Sequence, residues 1–212
     1  MELTVAETLA LALATRCAPA VAPSTMLSIV SVESRFDPLA IGVNGRPRLA
    51  VTVSSPSEAV TKASALIAVG RSVDLGLAQI NSANLDWLGL SVADAFDPCR
   101  NLAAAARVLQ DGYARSGGGN EQAALHTALS YYNTGHPRRG FANGYVARVF
   151  DAAVRFAPQT AGVDQMASAI PPGMAPPDGP ALPPPAWDVF GEVRPDSGFF
   201  IRASTSIPGD IP

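Results

Sequence analysis

Charged residues, histidines, cysteines and long apolar runs are all scarce in this sequence. Only 16% of the 212 residues are charged, and the formal net charge is −3. Because no basic stripe is interleaved with aromatic residues, the chain is not expected to bind nucleic acid. The longest apolar run, residues 9–14, is far shorter than the roughly eighteen residues that cross a bilayer, so membrane insertion is not expected either.

The two histidines, His126 and His136, lack metal-ligand spacing with each other or with a nearby cysteine or carboxylate. The sequence also lacks a P-loop, a dinucleotide fingerprint and a Gly-x-Ser-x-Gly nucleophile motif. We therefore expect no metal and no cofactor.

The only cysteines are Cys17 and Cys99, and the sequence leaves their state open. A bridge between them would close a loop of about eighty residues and would persist in an oxidising compartment. Two buried free thiols are the alternative.

The N-terminus gives a mixed signal about export. Residues 9–14 resemble the apolar part of a signal peptide, but Glu2 and Glu7 stand where a basic region belongs. We expect a first helix of the folded domain here rather than a cleaved signal.

The composition divides the chain near Pro158. Twelve of the nineteen prolines lie from that residue onward, which leaves little scope for helix or central strand. Residues 158–212 are therefore interpreted as a Pro-rich, disordered tail with apolar islands at residues 187–190 and 199–201. Residues 1–157 are long enough for one folded domain, since 48% of the chain is hydrophobic.

Residues 1–157 carry mostly helical patterns. Helix starts are predicted at Pro23-Ser24, at the capping box Ser55-Pro56-Ser57-Glu58, at Asp97-Pro98 and at Asn120, and a last helix over residues 145–156. Asn44-Gly45, followed by the β-favouring run 49–53, predicts a small hairpin. The expected fold is mainly α, with a minor β-region.

Glu33 occupies an unusual position in the helix that is predicted to start at Pro23-Ser24. Counting back by three, four and seven residues from it gives Val30, Ile29 and Met26, so the acid continues an apolar stripe. Burial of a charged carboxylate costs several kcal/mol unless the group is paired or protonated. A carboxyl desolvated in this way has a raised pKa and is suited to general acid catalysis.

Glu33 also opens the first of four sequence blocks. The blocks are Glu33-Ser-Arg-Phe-Asp-Pro38, Gly76-Leu-Ala-Gln-Ile-Asn81, Asp97-Pro-Cys-Arg-Asn-Leu102 and Tyr132-Asn-Thr-Gly135. In this order they resemble the motifs of the lytic transglycosylases with a goose-lysozyme-like fold, over residues 15–156. Cys17-Ala18-Pro19 and Asp97-Pro98-Cys99 point, within that family, to the peptidoglycan-cleaving subunit of type IV secretion systems.

The resemblance implies a lysozyme-like fold and cleavage of the β-1,4 bond between N-acetylmuramic acid and N-acetylglucosamine. Glu33 would act first as acid and then as base, while the substrate's N-acetyl group assists and its 6-hydroxyl attacks, leaving 1,6-anhydro-muramic ends. Substrate contacts are expected from Gln79, Tyr132 and Asn133. Ser34 is expected to steady the Glu33 carboxylate or to cap its helix.

Two residues depart from the family pattern. Ala78 replaces the usual methionine, which we expect to change only packing. Asp74 stands where many members have a serine and places a carboxylate near the expected substrate site. It is interpreted either as a loop residue that caps a backbone amide or as a base. Asp74 and Asp86 are the acids that would support lysozyme-type hydrolysis of the same bond.

The resemblance also implies a biological setting. Glycan strands of peptidoglycan would be the substrate and the periplasm the location. The apolar islands of the C-terminal tail would dock on secretion-system subunits; a return contact onto the catalytic domain, or an accident of composition, is the alternative for them. An oxidising periplasm would favour the bridge between Cys17 and Cys99. A non-catalytic, wall-binding assembly subunit is the remaining alternative, although intact Glu33, Gln79 and Tyr132 argue against it.

Overall fold

The computed structural model describes residues 2–45, 51–117 and 120–167. These residues form helices α1 (Val5–Cys17), α2 (Pro23–Glu33), α3 (Pro56–Ala68), α4 (Leu85–Leu88), α5 (Pro98–Ala114), α6 (Glu121–Thr134), α7 (Arg139–Ala142) and α8 (Tyr145–Ala167). Strands β1 (Ile41–Val43), β2 (Val73–Leu75) and β3 (Ile80–Asn81) make an antiparallel sheet in that order. The predicted mainly helical fold with a small sheet is confirmed.

Local capping signals begin the helices where the sequence predicts them. Ser55, Asp97 and Asn120 each accept a hydrogen bond from a backbone N–H two or three residues later, at the starts of α3, α5 and α6. Helix α2 begins at Pro23, whose fixed φ suits the first helical position. These helix starts are confirmed, since a cap depends only on neighbouring residues. The predicted capping box is incomplete, because the Glu58 carboxylate accepts from the N–H of Ser54 and not from that of Ser55.

Helix α2 lies in the core and packs mainly against α8. Met26, Ile29 and Val30 are each at most 1% exposed, which confirms the apolar stripe predicted ahead of Glu33. Burying side chains of this size contributes about 1.5–3 kcal/mol each, so α2 is held firmly behind the residue at its C-terminus.

The predicted hairpin is wrong in its partner strand. Strand β1 pairs with β2, where Gly42 lies opposite Asp74, and residues 51–53 form no strand. Residues 46–50 lie outside the described part of the chain. The backbone N–H of Asn44 donates to the carbonyl of Ser72 at 2.9 Å, which extends the pairing of β1 with the β2 segment by one residue.

The last helix is longer than predicted. Helix α8 does not end at Phe156 but continues through Pro158 to Ala167. Proline lacks the N–H that donates within a helix, so Pro158 removes one hydrogen bond. Residues 159–167 contain no further proline, and the helix continues beyond Pro158. The predicted boundary at 158 therefore falls inside a helix, and the apolar islands of the expected tail lie outside the described residues.

Two long-range links fasten α1 to the rest of the domain. The sulfurs of Cys17 and Cys99 are bonded, with Cα atoms 5.3 Å apart, and join the end of α1 to the first turn of α5. The buried Glu7 accepts a hydrogen bond of 2.5 Å from Arg155 on α8. Residues 5–17 thus form a helix packed on the domain, as predicted.

Among the described helices, none has the length and apolarity that crossing a membrane requires.

Candidate active site

A polar groove of about 760 Å³ runs across the face on which the sheet meets α6. Its walls come from the end of α2, the sheet, α4, the second half of α5 and the end of α6. The lining residues are Glu33, Asn44, Asp74, Gln79, Ile80, Asn81, Asn84, Trp87, Val108, Asp111, Arg115, Tyr131, Tyr132, Asn133, Thr134 and Gly135. Five of the six predicted catalytic and substrate-binding residues are therefore brought together, and Ser34 is the exception.

Glu33 is the last residue of α2 and is positioned by the sharp turn that follows it. Arg35 and Phe36 have φ of 54° and 68°, a left-handed conformation that L residues with a Cβ adopt only at a cost. The Phe36 ring packs edge-on against Phe156 of α8, with ring centroids 6.0 Å apart. This contact holds the turn, so the chain leaves the core immediately after Glu33 and its carboxyl faces the groove.

The pKa of Glu33 is raised to about 7. Desolvation is the largest cause, since burial disfavours the charged carboxylate. A hydrogen bond from Tyr145 offsets part of the increase, the negative charge of Asp74 adds to it, and the positive charge of Arg148 lowers it slightly. A carboxyl with this pKa exists in both protonation states near neutral pH, which a group acting as acid and then as base requires.

Tyr145 is a site residue that the sequence analysis missed. Its hydroxyl donates to Oε1 of Glu33 at 2.6 Å, and the residue is 1% exposed. Burial raises the pKa of Tyr145 well above its usual value, so the hydroxyl keeps its proton and acts as a donor. The only signal in the sequence is a tyrosine at the start of an amphipathic helix, and that does not identify the partner of its hydroxyl.

Asp74 lies on β2 and faces the groove between two asparagines. Its Oδ2 accepts from Nδ2 of Asn44 at 2.8 Å, and its Oδ1 accepts from Nδ2 of Asn81 at 2.6 Å. Burial raises the pKa of Asp74, while the two hydrogen bonds favour its charged form.

The other acid considered for hydrolysis, Asp86, is exposed on α4 and does not line the groove. Among the described residues, no three His, Cys, Asp or Glu side chains could hold a metal together.

Gln79 and Tyr132 line the groove, but several of their polar atoms are already engaged. Nε2 of Gln79 donates to the carbonyls of Ala40 at 3.1 Å and Gly76 at 2.9 Å, which leaves Oε1 to accept from a ligand. The Tyr132 hydroxyl donates to the carbonyl of Ala78 at 2.7 Å. Each residue therefore fixes the β2–β3 turn while presenting one remaining surface, a carbonyl oxygen or an aromatic ring, to the groove.

Asn101, in the third sequence block (residues 97–102), binds the backbone at the second block (residues 76–81). Its Oδ1 accepts from the N–H of Ala78, and its Nδ2 donates to the carbonyls of Leu75 and Ala95, all within 2.7–2.9 Å. Gly76 passes so close that a Cβ there would lie 2.5 Å from the Ala95 carbonyl oxygen. The two blocks thus form one buried contact that sets the position of Gln79.

Ser34 and Asn133 differ in their relation to the groove. The Ser34 hydroxyl donates to the carbonyl of Val30 at 3.3 Å and so caps α2, which matches one of the two roles expected for it. Asn133 lines the groove with its Oδ1 accepting from Nδ2 of Asn143 at 2.8 Å. Its own Nδ2 has no hydrogen-bond acceptor within the described ranges, so it can donate to a ligand.

A helical domain with a small antiparallel sheet and a desolvated glutamic acid in a polar groove defines the lysozyme-like class. Residues 10–150 match the model of the transglycosylase SLT domain, and the chain belongs to that family.

Curated relatives extend the comparison. The chain is 48% identical over 134 residues to the type IV secretion system protein virB1 of Brucella abortus biovar 1 (strain 9-941), covering 62% of this chain and 56% of that protein. It is 44% identical over 149 residues to protein virB1 of Agrobacterium fabrum (strain C58 / ATCC 33970), covering 68% of this chain and 59% of that protein. The chain thus spans 56–59% of the length of these relatives. No solved structure matches it significantly.

Proposed function

We propose that the chain is a peptidoglycan lytic transglycosylase that cleaves the β-1,4 bond between N-acetylmuramic acid and N-acetylglucosamine. The observation that carries the proposal is a single glutamic acid, Glu33, with a pKa near 7 at the wall of a polar groove. Membership of the transglycosylase SLT domain family supports the same substrate class.

The proposed reaction needs one protein carboxyl. Glu33 gives its proton to the glycosidic oxygen as the bond to C1 of the muramic acid breaks, and the substrate's acetamide stabilises the positive charge at C1. The substrate's 6-hydroxyl then forms a new bond to C1, and the Glu33 carboxylate takes the hydroxyl proton. No water is consumed, the product is a 1,6-anhydro sugar, and the acid is regenerated.

The groove offers polar groups suited to holding the reacting sugar. Nδ2 of Asn133 can donate to a hydroxyl or acetamide oxygen, and Oε1 of Gln79 can accept from an amide or hydroxyl. The Tyr132 ring supplies an apolar surface beside Glu33. Such fixed contacts raise the effective concentration of the 6-hydroxyl at C1, which favours intramolecular attack over attack by water.

Hydrolysis of the same bond is the second candidate, and one observation favours it. Asp74 lines the same groove as Glu33, and two asparagines hold both of its oxygens, so it offers a fixed carboxylate that could position water or stabilise C1. If Asp74 served as base in this way, the product would be a reducing sugar end.

Mass spectrometry of the muramic ends released from purified peptidoglycan tests both candidates. Hydrolysed ends are heavier by one water and can be reduced by borohydride, whereas anhydro ends cannot. Predominantly anhydro ends support the proposal, and predominantly reducible ends would overturn it. Glu33→Gln is the matched control, because the isosteric amide cannot deliver a proton. This variant should release at least about 10²-fold less material than the unchanged protein. Absence of release by the unchanged protein would favour a non-catalytic, wall-binding subunit.

We further propose that the protein acts in the periplasm and opens the wall locally for a secretion apparatus. Relatives that are named as type IV secretion system proteins support this setting. The apolar islands at residues 187–190 and 199–201 would dock on a partner subunit. Full-length protein carrying Trp187→Ala and Phe190→Ala should keep peptidoglycan release and lose co-purification with the apparatus; unchanged co-purification would exclude docking through the first island.

A further inference from the structure

One wall of the groove is built from three residues at a regular spacing. Asn81, Asn84 and Trp87 all line it, and they follow one another every three residues through a 3₁₀ turn (Ser82–Asn84) into α4. Residues three apart share a face in both helix types. Asn81, a hydrogen-bond partner of Asp74, ends β3 and caps the 3₁₀ turn. With a rise of about 1.5–2.0 Å per residue from Ser82 to Trp87, the run extends about 7.5–10 Å beyond it, which is longer than one pyranose ring.

Trp87 ends this run as an exposed but fixed aromatic ring. The residue is 44% exposed, and its indole N–H donates to Oδ1 of Asn84 at 3.1 Å. The guanidinium of Arg107, on α5, lies 5.6 Å from the ring centroid, and its Nη1 donates to the carbonyl of Leu88 at 2.8 Å. Because the ring is held before any ligand arrives, contact with it costs little side-chain entropy.

The surroundings of Trp87 offer the contacts that a neutral sugar uses. Nδ2 of Asn84, beside the ring, has no acceptor within the described part of the chain and can donate to a hydroxyl or acetamide oxygen. The groove also carries the acids Glu33, Asp74 and Asp111, and its cation Arg115 is paired with Asp111. The guanidinium of Arg107 lies at the Trp87 ring as well, so the charges around the ring are mixed, and an uncharged sugar ring needs no counter-ion there.

We propose that Trp87 and Asn84 form a distal sugar subsite, in which the indole stacks on the C–H face of an N-acetylhexosamine ring beyond the cleaved bond. The inference rests on the proposed function for the identity of the ligand. It adds that the groove selects for glycan length, since only a strand that reaches from Glu33 to Trp87 makes both contacts.

The test uses full-length protein carrying Glu33→Gln, so that binding is measured without turnover. Calorimetry compares β-1,4-linked N-acetylglucosamine disaccharide with the hexasaccharide, in that background and with Trp87→Ala, Trp87→Phe or Phe141→Ala added. Phe141 is the matched control, because it is 45% exposed and lies outside the groove. Trp87→Ala should weaken hexasaccharide binding about tenfold, leave disaccharide binding nearly unchanged, and be largely rescued by Trp87→Phe.

Equal affinities of the Trp87→Ala and Phe141→Ala proteins for the hexasaccharide would overturn the subsite, as would failure of the Glu33→Gln protein to bind any oligomer. Peptidoglycan release by the unchanged protein, measured in parallel, decides the proposed function separately. Release with anhydro ends together with an inert Trp87→Ala substitution would leave the function standing and remove only the subsite.

Discussion

The Tyr145 hydroxyl lies 2.6 Å from Oε1 of Glu33, although 112 residues separate them in the chain. This hydrogen bond stabilises the charged carboxylate and so opposes the desolvation that raises the pKa of Glu33. Asp74 has the reverse influence, because its negative charge raises the same pKa. The two neighbours therefore shift the pKa of the proposed acid in opposite directions, and removing each group in turn tests its effect.

Tyr145→Phe should move the activity profile to higher pH. Loss of the hydrogen bond leaves the carboxylate less stabilised, so the pKa of Glu33 rises above about 7 and its proton is retained to higher pH. The alkaline limb of kcat/KM for peptidoglycan solubilisation reports this pKa. Tyr131→Phe, which alters a groove tyrosine with no hydrogen bond to Glu33, should leave the limb unmoved. An alkaline limb that stays in place in Tyr145→Phe would show that the hydrogen bond does not tune the acid.

Asp74→Asn should move the same limb to lower pH, because removal of the negative charge lowers the pKa of Glu33. The proposed transglycosylase reaction then keeps its maximal rate within about tenfold, since no base other than Glu33 takes part. Hydrolysis would instead lose about 10²–10⁴-fold, the usual contribution of a general base. Rates and muramic ends measured on one preparation separate the two results.

Gly76→Ala should destabilise the domain far more than Gly70→Ala. Both glycines have a left-handed φ, 72° and 78°, so an alanine pays a similar conformational cost of about 1 kcal/mol at each. At Gly76 the new Cβ would also lie 2.5 Å from the Ala95 carbonyl oxygen, whereas it meets nothing within 4 Å at Gly70. We expect a loss of about 3 kcal/mol or more for Gly76→Ala in urea unfolding. Equal losses would show that the close approach to Ala95 is not needed.

Replacing both Cys17 and Cys99 by serine should lower the free energy of unfolding by about 4–5 kcal/mol, because the bridge closes a long loop in the unfolded chain. Reduced wild-type protein should unfold like the double variant. Intact-mass analysis after alkylation of unreduced, denatured protein should show no modified thiol. Two alkylated cysteines in protein isolated from an oxidising compartment would contradict the bridge.

Features that depend on neighbouring residues could be predicted from the sequence by itself. The caps at Ser55, Asp97 and Asn120 needed only a side chain within reach of the next turn. Glu33 was singled out because its position on a helical stripe implies burial and burial of a carboxyl implies a raised pKa, and the four sequence blocks that resemble the family motifs supplied the role expected for it. The candidate acid and the helices around it were therefore predictable from local patterns.

Only the tertiary structure decided which distant groups meet. The partner of β1 is β2, and residues 51–53 form no strand, because pairing between strands is chosen by the whole fold and not by a turn dipeptide. For the same reason nothing near Tyr145 in the sequence points to Glu33, and nothing near Asp74 points to Asn44. A hydrogen bond forms wherever donor and acceptor are brought within about 3 Å, and for pairs far apart in the chain that distance is fixed by the packing of α2, α8 and the sheet.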